Sequence, residues 1–402
     1  MGRGWGRGGG RGGGGEGGGR GGGGGGVRGG GGGGRRGGGG GWGAVGRRQG
    51  AGGRPRGCGG ARGRHAVTAR PLAEMAVAAG FGGSGRCKEG GRALSGRARG
   101  ERGRSGKPDV SACPQGEIKL LLRYRPPYDW SAMLDFLRVR AIPGIERVTA
   151  DSYTRTIGLD GAQGTVRVEP GTGNALQATV RFPQLHALPT IIARLRRVFD
   201  LASDPAALAL QLAHDPVMAA LTAARPGLRV PGAWDGFELA LRAVLGQQIT
   251  VGAAIKLAGK LVAAHGQPLE QPDGDLTHLF PTPAAVAPVD LAPLGMPRSR
   301  AATLSAVAAA ALADPRLFDT TNSLDTAVAR LREIRGVGEW TAQYIALRQL
   351  REPDAFPASD IGLIRALEKL ESREYTPAQL LARAEAWRPW RAYAAQHLWA
   401  EY

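Results

Sequence analysis

Cysteine is absent from most of this chain. The 402-residue sequence has three cysteines, Cys58, Cys87 and Cys113, and none follows. The later residues therefore cannot form a disulfide framework, a cysteine-ligated zinc site or a cysteine-bound iron–sulfur cluster. A run of about eighteen or more apolar residues, the length needed for a membrane-spanning helix, is also missing. The N-terminus has no apolar core of the signal-peptide kind.

Excess charge is likewise confined to one segment. Residues 1–107 contain 22 Lys and Arg against 4 Asp and Glu, so they carry +18 of the formal net charge of +19. The remaining 295 residues contain 31 basic and 30 acidic side chains and are almost neutral. We therefore expect any nucleic-acid contact made by the later residues to depend on backbone amides and local arginines rather than on global charge.

The N-terminal segment is rich in glycine and arginine, with 49 of the 68 glycines before Lys107. Its few large apolar side chains cannot offset the conformational entropy of folding, so we predict a disordered tail over residues 1–115. Three interpretations remain open. The segment is an arm that holds nucleic acid electrostatically, a solvated linker, or translated GC-rich DNA upstream of the true start codon.

Residues 116–202 have the pattern of an α+β domain with a small antiparallel sheet. A helix is predicted from Ser131 to about Arg140, with Asp129 or Ser131 as its N-cap, and a second in LHALPTIIARLRRVFDL. The strand-like runs, separated by Gly or Asp-Gly turns, are EIKLLLRYR, GIERVTADS, YTRTIGLDG, GTVRVEPG and ALQATVRF.

Residues 203–402 show helical periodicity throughout, and we predict an all-helical domain there. The run FELALRAVLGQQITVGAAIKLAGKLVAAHG is helical but interrupted near Gly246. Further helices are predicted at 283–292, 298–312, 322–334, 339–350, 361–370, 377–386 and 390–400.

The segment LREIRGVGEWTAQYIALRQLREPDAFPASD combines a glycine turn, two aromatic residues and a carboxylate. Gly336 and Gly338 allow a close backbone approach to a phosphate between two helices. Trp340 and Tyr344 lie one turn apart and share a helix face, and Asp360 follows. Each feature also has a structural explanation: a turn between packed helices, core aromatics and an N-cap. Together they provide the layout needed to hold DNA and break the bond between a base and its sugar.

The region from about Tyr124 to Tyr402 resembles the bacterial AlkA-type DNA-3-methyladenine glycosylase II family, within the helix-hairpin-helix glycosylase superfamily. The resemblance implies an α+β domain like one half of a TATA-binding protein, followed by helical lobes with the active cleft between them. The motifs that carry it are YRPPYDWSAMLDFL, ADSYTRTI, ARPGLRVPGAWDGFELALRAVLGQQITV, LGMPRSRA, IRGVGEWTAQYIALR, DAFPASD and WRPWRAYAAQHLW.

The resemblance implies a role for each matched position. Asp360 corresponds to the catalytic aspartate of the family. The base pocket would be lined by Trp340, Tyr344, Trp399 and Phe136. The positions that would contact DNA are Gln247 and Gln248 on the loop that inserts into the duplex, Ile249 beside them, and Gly336, Val337 and Gly338 in the hairpin.

Two features of the family need qualification in this chain. Gln248 is less apolar than the aliphatic wedge at the matching position, so Ile249 is a second candidate for that role. The family also binds a monovalent cation such as sodium through main-chain carbonyls, here those of Arg332, Ile334 and Val337. No cofactor is expected to be required.

Strand-cleaving members of the superfamily carry a Schiff-base lysine in the hairpin helix, where this chain has Trp340. Because Leu331–Ala346 contains no lysine, imine chemistry is not available from this helix. We therefore predict a monofunctional glycosylase that flips alkylated purines such as 3-methyladenine out of double-stranded DNA in base excision repair. It is expected to act as a monomer in the bacterial cytoplasm, at the nucleoid, without a membrane partner.

Other interpretations compete with this one. The chain could instead be a glycosylase for another lesion, such as uracil or an oxidised purine, a non-catalytic helix-hairpin-helix DNA-binding protein, or an RNA-binding protein defined by its tail. Asp354 is a rival to Asp360 as the catalytic carboxylate. We assign His397 a structural role, and Trp387 and Trp390 a packing role.

Overall fold

The computed structural model describes residues 116–320 and 323–402, all within one compact unit. The tail predicted for residues 1–115 lies outside the described residues. A small antiparallel sheet with its helices comes first and a mainly helical region follows, as the sequence predicted. None of the helices in these ranges is both long and apolar enough to cross a membrane.

The first part of the fold is a five-stranded antiparallel sheet in the order β1-β5-β4-β3-β2. Its core forms because alternate strand residues, such as Val166 and Val168 in β4, point inward and are fully buried. Asp129 caps the first helix by accepting a hydrogen bond from Ala132 N at 2.9 Å, as predicted. The elements are β1 Glu117–Arg123, α1 Trp130–Arg138, β2 Glu146–Val148, β3 Tyr153–Leu159, β4 Ala162–Pro170, β5 Ala175–Arg181 and α2 Leu188–Val198.

The second part packs its helices around one large apolar core. Its elements are α3 Pro205–Leu212, α4 Pro216–Ala224, α5 Gly236–Leu245, α6 Val251–His265, β6 Gln267–Asp273, β7 Leu276–Leu279, α7 Pro283–Val286, α8 Arg298–Ala313, α9 Leu324–Arg332, α10 Glu339–Ile345, α11 Ile361–Glu371, α12 Pro377–Ala384 and α13 Arg391–Glu401. A π-helical segment, Ala346–Leu350, continues α10.

The prediction that residues 203–402 are helical throughout was wrong at one place. Strands β6 and β7 pair as an antiparallel hairpin. Pro268 and Pro272, four residues apart, oppose a continuous helix there because proline breaks a helix interior, and Gly274 turns the chain with φ +61°. The helix predicted over 283–292 is also shorter, since α7 ends at Val286 just before Pro288.

A buried ionic network joins the sheet to the helical region. Glu238 in α5 contacts Arg155 of β3 at 2.7 Å and Arg242 at 2.6 Å. Arg242 in turn contacts Glu146 of β2 at 2.5 Å. Burial alone would raise the pKa of Glu238, but the two guanidinium groups outweigh it and lower that pKa to about 2. Since Arg242 also donates to the carbonyl of Arg140 at 2.8 Å, the network reaches the end of α1.

Candidate active site

Asp360 lies at the N-terminus of α11, where its carboxylate is held by four N–H groups. Oδ1 accepts hydrogen bonds from Gly362 N at 2.9 Å and Leu363 N at 3.1 Å, which makes Asp360 the N-cap of α11. The indole Nε1 of Trp399 donates to the same oxygen, and that of Trp340 donates to Oδ2, each at 2.9 Å. The carboxylate is only partly buried. It is therefore fixed in orientation while remaining partly accessible to solvent.

Three of the predicted pocket aromatics form one cluster around this carboxylate. The rings of Trp340 and Tyr344 are stacked, with centroids 5.2 Å apart and planes inclined by 10°. Tyr344 meets Trp399 edge-on at 6.3 Å. The cluster forms because Trp340 and Tyr344 share a face of α10, while Trp399 comes from α13, which packs beside α11.

Phe136 joins the cluster through Arg348, a residue that the sequence analysis did not single out. The Arg348 guanidinium carbon lies 4.8 Å from the centroid of Phe136, 4.9 Å from that of Trp399 and 5.5 Å from that of Tyr344. The spacing of Trp340, Tyr344 and Arg348 at every fourth residue was a signal that could have identified it, because such residues follow one helix face.

The hairpin turn depends on the missing side chain of Gly336. This residue has φ +88°, and a Cβ atom there would lie 2.0 Å from Oγ1 of Thr303. Gly338, by contrast, has an ordinary φ of −88°, and a Cβ at that position would meet nothing within 4 Å. Gly336 is therefore required by packing, whereas Gly338 leaves an open surface next to the backbone.

This contrast predicts different effects of alanine at the two glycines. Gly336→Ala is expected to lower the free energy of unfolding by about 3 kcal/mol, from left-handed backbone strain and overpacking against Thr303. Gly338→Ala, the matched control, is expected to cost less than about 1 kcal/mol, the scale of a changed N-cap. Urea unfolding of both variants measures the difference, and equal losses would show that the Thr303 contact relaxes without cost.

The loop between α5 and α6 is tied to this hairpin. The Gln247 side-chain amide donates to the Gly336 carbonyl at 3.2 Å and to Thr341 Oγ1 at 3.0 Å. Gln248 is exposed and has φ +56°, a backbone conformation uncommon outside glycine. Ile249 is half-buried. Gln247 thus positions the loop, and Gln248 is the side chain at its exposed tip.

Asp354, His397 and Trp387 each have contacts or burial that indicate a structural role. Asp354 uses its carboxylate to hold Arg391, at 2.8 Å from Nε and 3.0 Å from Nη2, and it also pairs with Arg388. This structural use favours Asp360 as the reactive carboxylate. His397 is buried, and burial lowers its pKa to about 4, which leaves its ring neutral at physiological pH. Trp387 is fully buried in the helical core, as expected of a packing residue.

The carbonyls named for a monovalent cation all lie in or next to the hairpin turn. Arg332 is the last residue of α9, and Ile334 and Val337 follow in the turn. The Ile334 carbonyl already accepts a hydrogen bond from Val337 N at 3.0 Å, which leaves one lone pair for another partner. The sodium site stays a prediction.

Comparisons with known proteins identify the family. Residues 119–235 match the AlkA N-terminal domain, and residues 241–392 match the HhH-GPD superfamily of base excision DNA repair proteins. DNA-3-methyladenine glycosylase 2 of Escherichia coli is 36% identical over 282 residues, which cover 69% of this chain and 95% of that protein. A probable bifunctional transcriptional activator/DNA repair enzyme AlkA of Mycobacterium tuberculosis is 40% identical over 288 residues, but the chain spans only 57% of its length.

Solved structures show the same fold. A 3-methyladenine DNA-glycosylase from Archaeoglobus fulgidus matches with a TM-score of 0.61 and 22% identity, over 70% of this chain and 97% of that one. An 8-oxoguanine glycosylase/lyase of Clostridium acetobutylicum, bound to double-stranded DNA, matches with a TM-score of 0.50 and 17% identity, over 63% and 96%. The sequence matches and the shared fold agree, and the chain belongs to the AlkA-type DNA-3-methyladenine glycosylases of the helix-hairpin-helix superfamily.

Proposed function

We propose that this chain is a monofunctional DNA glycosylase that flips alkylated purines such as 3-methyladenine out of double-stranded DNA and hydrolyses the N-glycosidic bond. The observation that carries the proposal is the partly exposed Asp360 carboxylate, held by the indoles of Trp340 and Trp399. Membership of a glycosylase family supports it. The enzyme would act as a monomer in base excision repair.

The aromatic cluster provides a surface for a flipped base. A base cannot react inside the duplex stack, and unstacking costs a few kcal/mol, least for a damaged base. Alkylation of a purine nitrogen gives the ring a positive charge, which aromatic faces attract by about 0.5–2 kcal/mol. Trp340 and Tyr344, stacked 5.2 Å apart, offer such faces beside Asp360. This attraction is modest, so the pocket is expected to accept several lesions.

Asp360 would supply the chemistry. Departure of the base develops oxocarbenium character on the sugar, and a carboxylate stabilises that positive charge. The same group can orient the attacking water or take its proton. An alkylated cationic base leaves as a neutral molecule, so a separate general acid is not needed. The four N–H groups around Asp360 hold its carboxylate in place.

DNA would be gripped by the hairpin and the adjacent loop. The open backbone at Gly338 suits a phosphate oxygen, because nothing fills the space where a side chain would stand. Gln248 and Ile249 would enter the duplex at the flipped nucleotide. The carbonyls of Arg332, Ile334 and Val337 would hold a monovalent cation that stabilises the turn; no cofactor would take part in the reaction.

The function is tested by incubating the full-length chain separately with duplexes that carry an alkylated purine, uracil or an oxidised purine, and measuring released bases by chromatography. Release of 3-methyladenine is the expected result. Release of uracil or an oxidised purine instead would assign the chain to another lesion. Tight DNA binding without any release would support the non-catalytic alternative.

A second measurement tests whether the enzyme is monofunctional. Borohydride added during excision is expected to trap no covalent enzyme–DNA adduct, because Trp340 occupies the position of the Schiff-base lysine. The C. acetobutylicum 8-oxoguanine glycosylase/lyase provides a positive control for trapping. An adduct formed by this chain would contradict the monofunctional assignment and would locate an amine nucleophile elsewhere in the protein.

A further inference from the structure

Arg348 is a buried cation behind the aromatic cluster, and the proposed mechanism does not use it. Its side chain is 3% exposed. Its hydrogen bonds go to neutral acceptors, the Pro231 carbonyl and Gln396 Oε1, each at 3.0 Å. Its buried Nε–H has no hydrogen-bond partner. Within residues 116–320 and 323–402, no carboxylate lies within ion-pair distance of it.

Burying the Arg348 guanidinium without a carboxylate partner costs free energy, because the charge loses its hydration. Burial lowers the pKa of Arg348 to about 10, yet the side chain still carries its charge at neutral pH. The surrounding rings compensate in part, because the guanidinium lies within 5.5 Å of the centroids of Phe136, Tyr344 and Trp399. Phe136 also has Arg140 4.0 Å from its centroid. Much of the electron density of these rings is thus already engaged by protein cations.

We propose that the buried charge of Arg348 assists departure of the base and biases the pocket towards uncharged bases. The proposal rests on the glycosylase function proposed above. It depends on the placement of one guanidinium group against three rings from α1, the α10 segment and α13.

The charge balance of the reaction explains both effects. When the glycosidic bond breaks, its electron pair stays with the base, while the sugar carbon takes the hydroxyl of water and the water proton passes to the departing base or to solvent. A cationic base becomes neutral, and a neutral base becomes transiently anionic. In both cases the base gains negative charge, so a nearby cation accelerates the chemical step. The same cation repels a base that arrives with a positive charge.

These two effects can be separated kinetically. Removing the charge should slow the chemical step for every base, but it should strengthen the binding of cationic bases relative to neutral ones. Two unit charges about 8 Å apart, at an effective dielectric of about 20, interact strongly enough to change a binding ratio by about thirtyfold. A purely structural residue would lower both activities without changing their ratio.

The test uses Arg348→Met and Arg348→Lys in the full-length chain, with duplexes that contain either 7-methylguanine, which is cationic, or hypoxanthine, which is neutral. For Arg348→Met, the saturating single-turnover rate should fall for both bases. The ratio of kcat/KM for 7-methylguanine over hypoxanthine should rise about thirtyfold. Arg348→Lys should keep the wild-type ratio, because it retains the charge. Both kcat/KM values of a variant are measured on one preparation, so the fraction of active enzyme cancels from their ratio.

Two further variants keep the test decisive. Arg348→Gln also removes the charge but can still donate to the Pro231 carbonyl, so it replaces Arg348→Met if that variant does not fold. Arg167→Met, an exposed arginine in β4, is the matched control and should leave the ratio unchanged. An unchanged ratio in the folded neutral variants would overturn the proposal. Failure of the wild-type chain to release either base would instead refute the glycosylase function itself.

Discussion

Replacing Asp360 with asparagine is expected to lower the single-turnover rate of base release by about a thousandfold. The carboxylate would lie about 4 Å from the developing positive charge on the sugar, and at an effective dielectric of about 20 this interaction is worth about 4 kcal/mol. Asparagine keeps the oxygen that can cap α11 through Gly362 N and Leu363 N, so the fold is expected to persist. Quenched-flow excision assays on a duplex with one lesion measure the rate.

Asp354→Asn is the matched control, because Asp354 lies six positions earlier and is engaged with Arg391 and Arg388. Its rate per folded molecule should stay within about threefold of the wild-type rate, since neither arginine acts in the chemistry. DNA binding by Asp360→Asn should remain near wild type. Near-normal excision by Asp360→Asn, or an equal loss in Asp354→Asn, would show that the catalytic carboxylate has been misassigned.

Replacing Glu238 with glutamine is expected to cause the largest loss of stability, about 3–5 kcal/mol, because breaking a buried ion pair leaves a charge uncompensated. Arg155 and Glu238 are both almost completely buried, and among the described residues Arg242 would keep Glu146 as its one carboxylate partner. The free energy of unfolding in urea at pH 7 is the measurement. Glu117→Gln, which removes an exposed partner of Arg181, should leave the unfolding midpoint unchanged.

The same network predicts an acid limit to stability. The pKa of Glu238 is about 2 in the folded chain, below its ordinary value of 4.5. Its contribution is therefore fully present above about pH 5 and is lost as the pH falls towards 2. Wild type and Glu238→Gln should then differ most at neutral pH and converge in acid. A difference that stayed constant between pH 7 and pH 3 would exclude this origin.

Local patterns were sufficient to predict most elements of the fold. Asp129 and Asp360 are polar residues directly before helical runs, and both are N-caps in the structure. The two strands β6 and β7 were missed because helical periodicity on both sides masked a short hairpin, although Pro268 and Pro272 opposed a helix there. Short elements with few pattern residues depend on tertiary pairing, which a single sequence does not encode locally.

Only those residues of the candidate site that fall within a recognisable sequence motif could be predicted. Trp340, Tyr344 and Asp360 fall within one short segment, and the structure brings them together with Trp399 from the distant α13. Arg348 was missed because an arginine at a helix end is usually solvated. Its burial results from rings contributed by separate parts of the chain, including Phe136. Residue spacing places Arg348 on the helix face of Trp340 and Tyr344, but its contacts with Phe136 and Trp399 follow from the fold.

The hydrogen bonds from Gln247 to the hairpin have a consequence for how damage would be located. They join the loop that bears the exposed Gln248 to the turn at Gly336, which restrains the two surfaces relative to each other. If the turn grips a phosphate while the tip tests a base pair, the span between them is restrained. The hairpin turn and the loop tip would then contact the duplex at a set distance from each other. A stacked, undamaged pair would resist the tip at that span, and a weakened pair would yield.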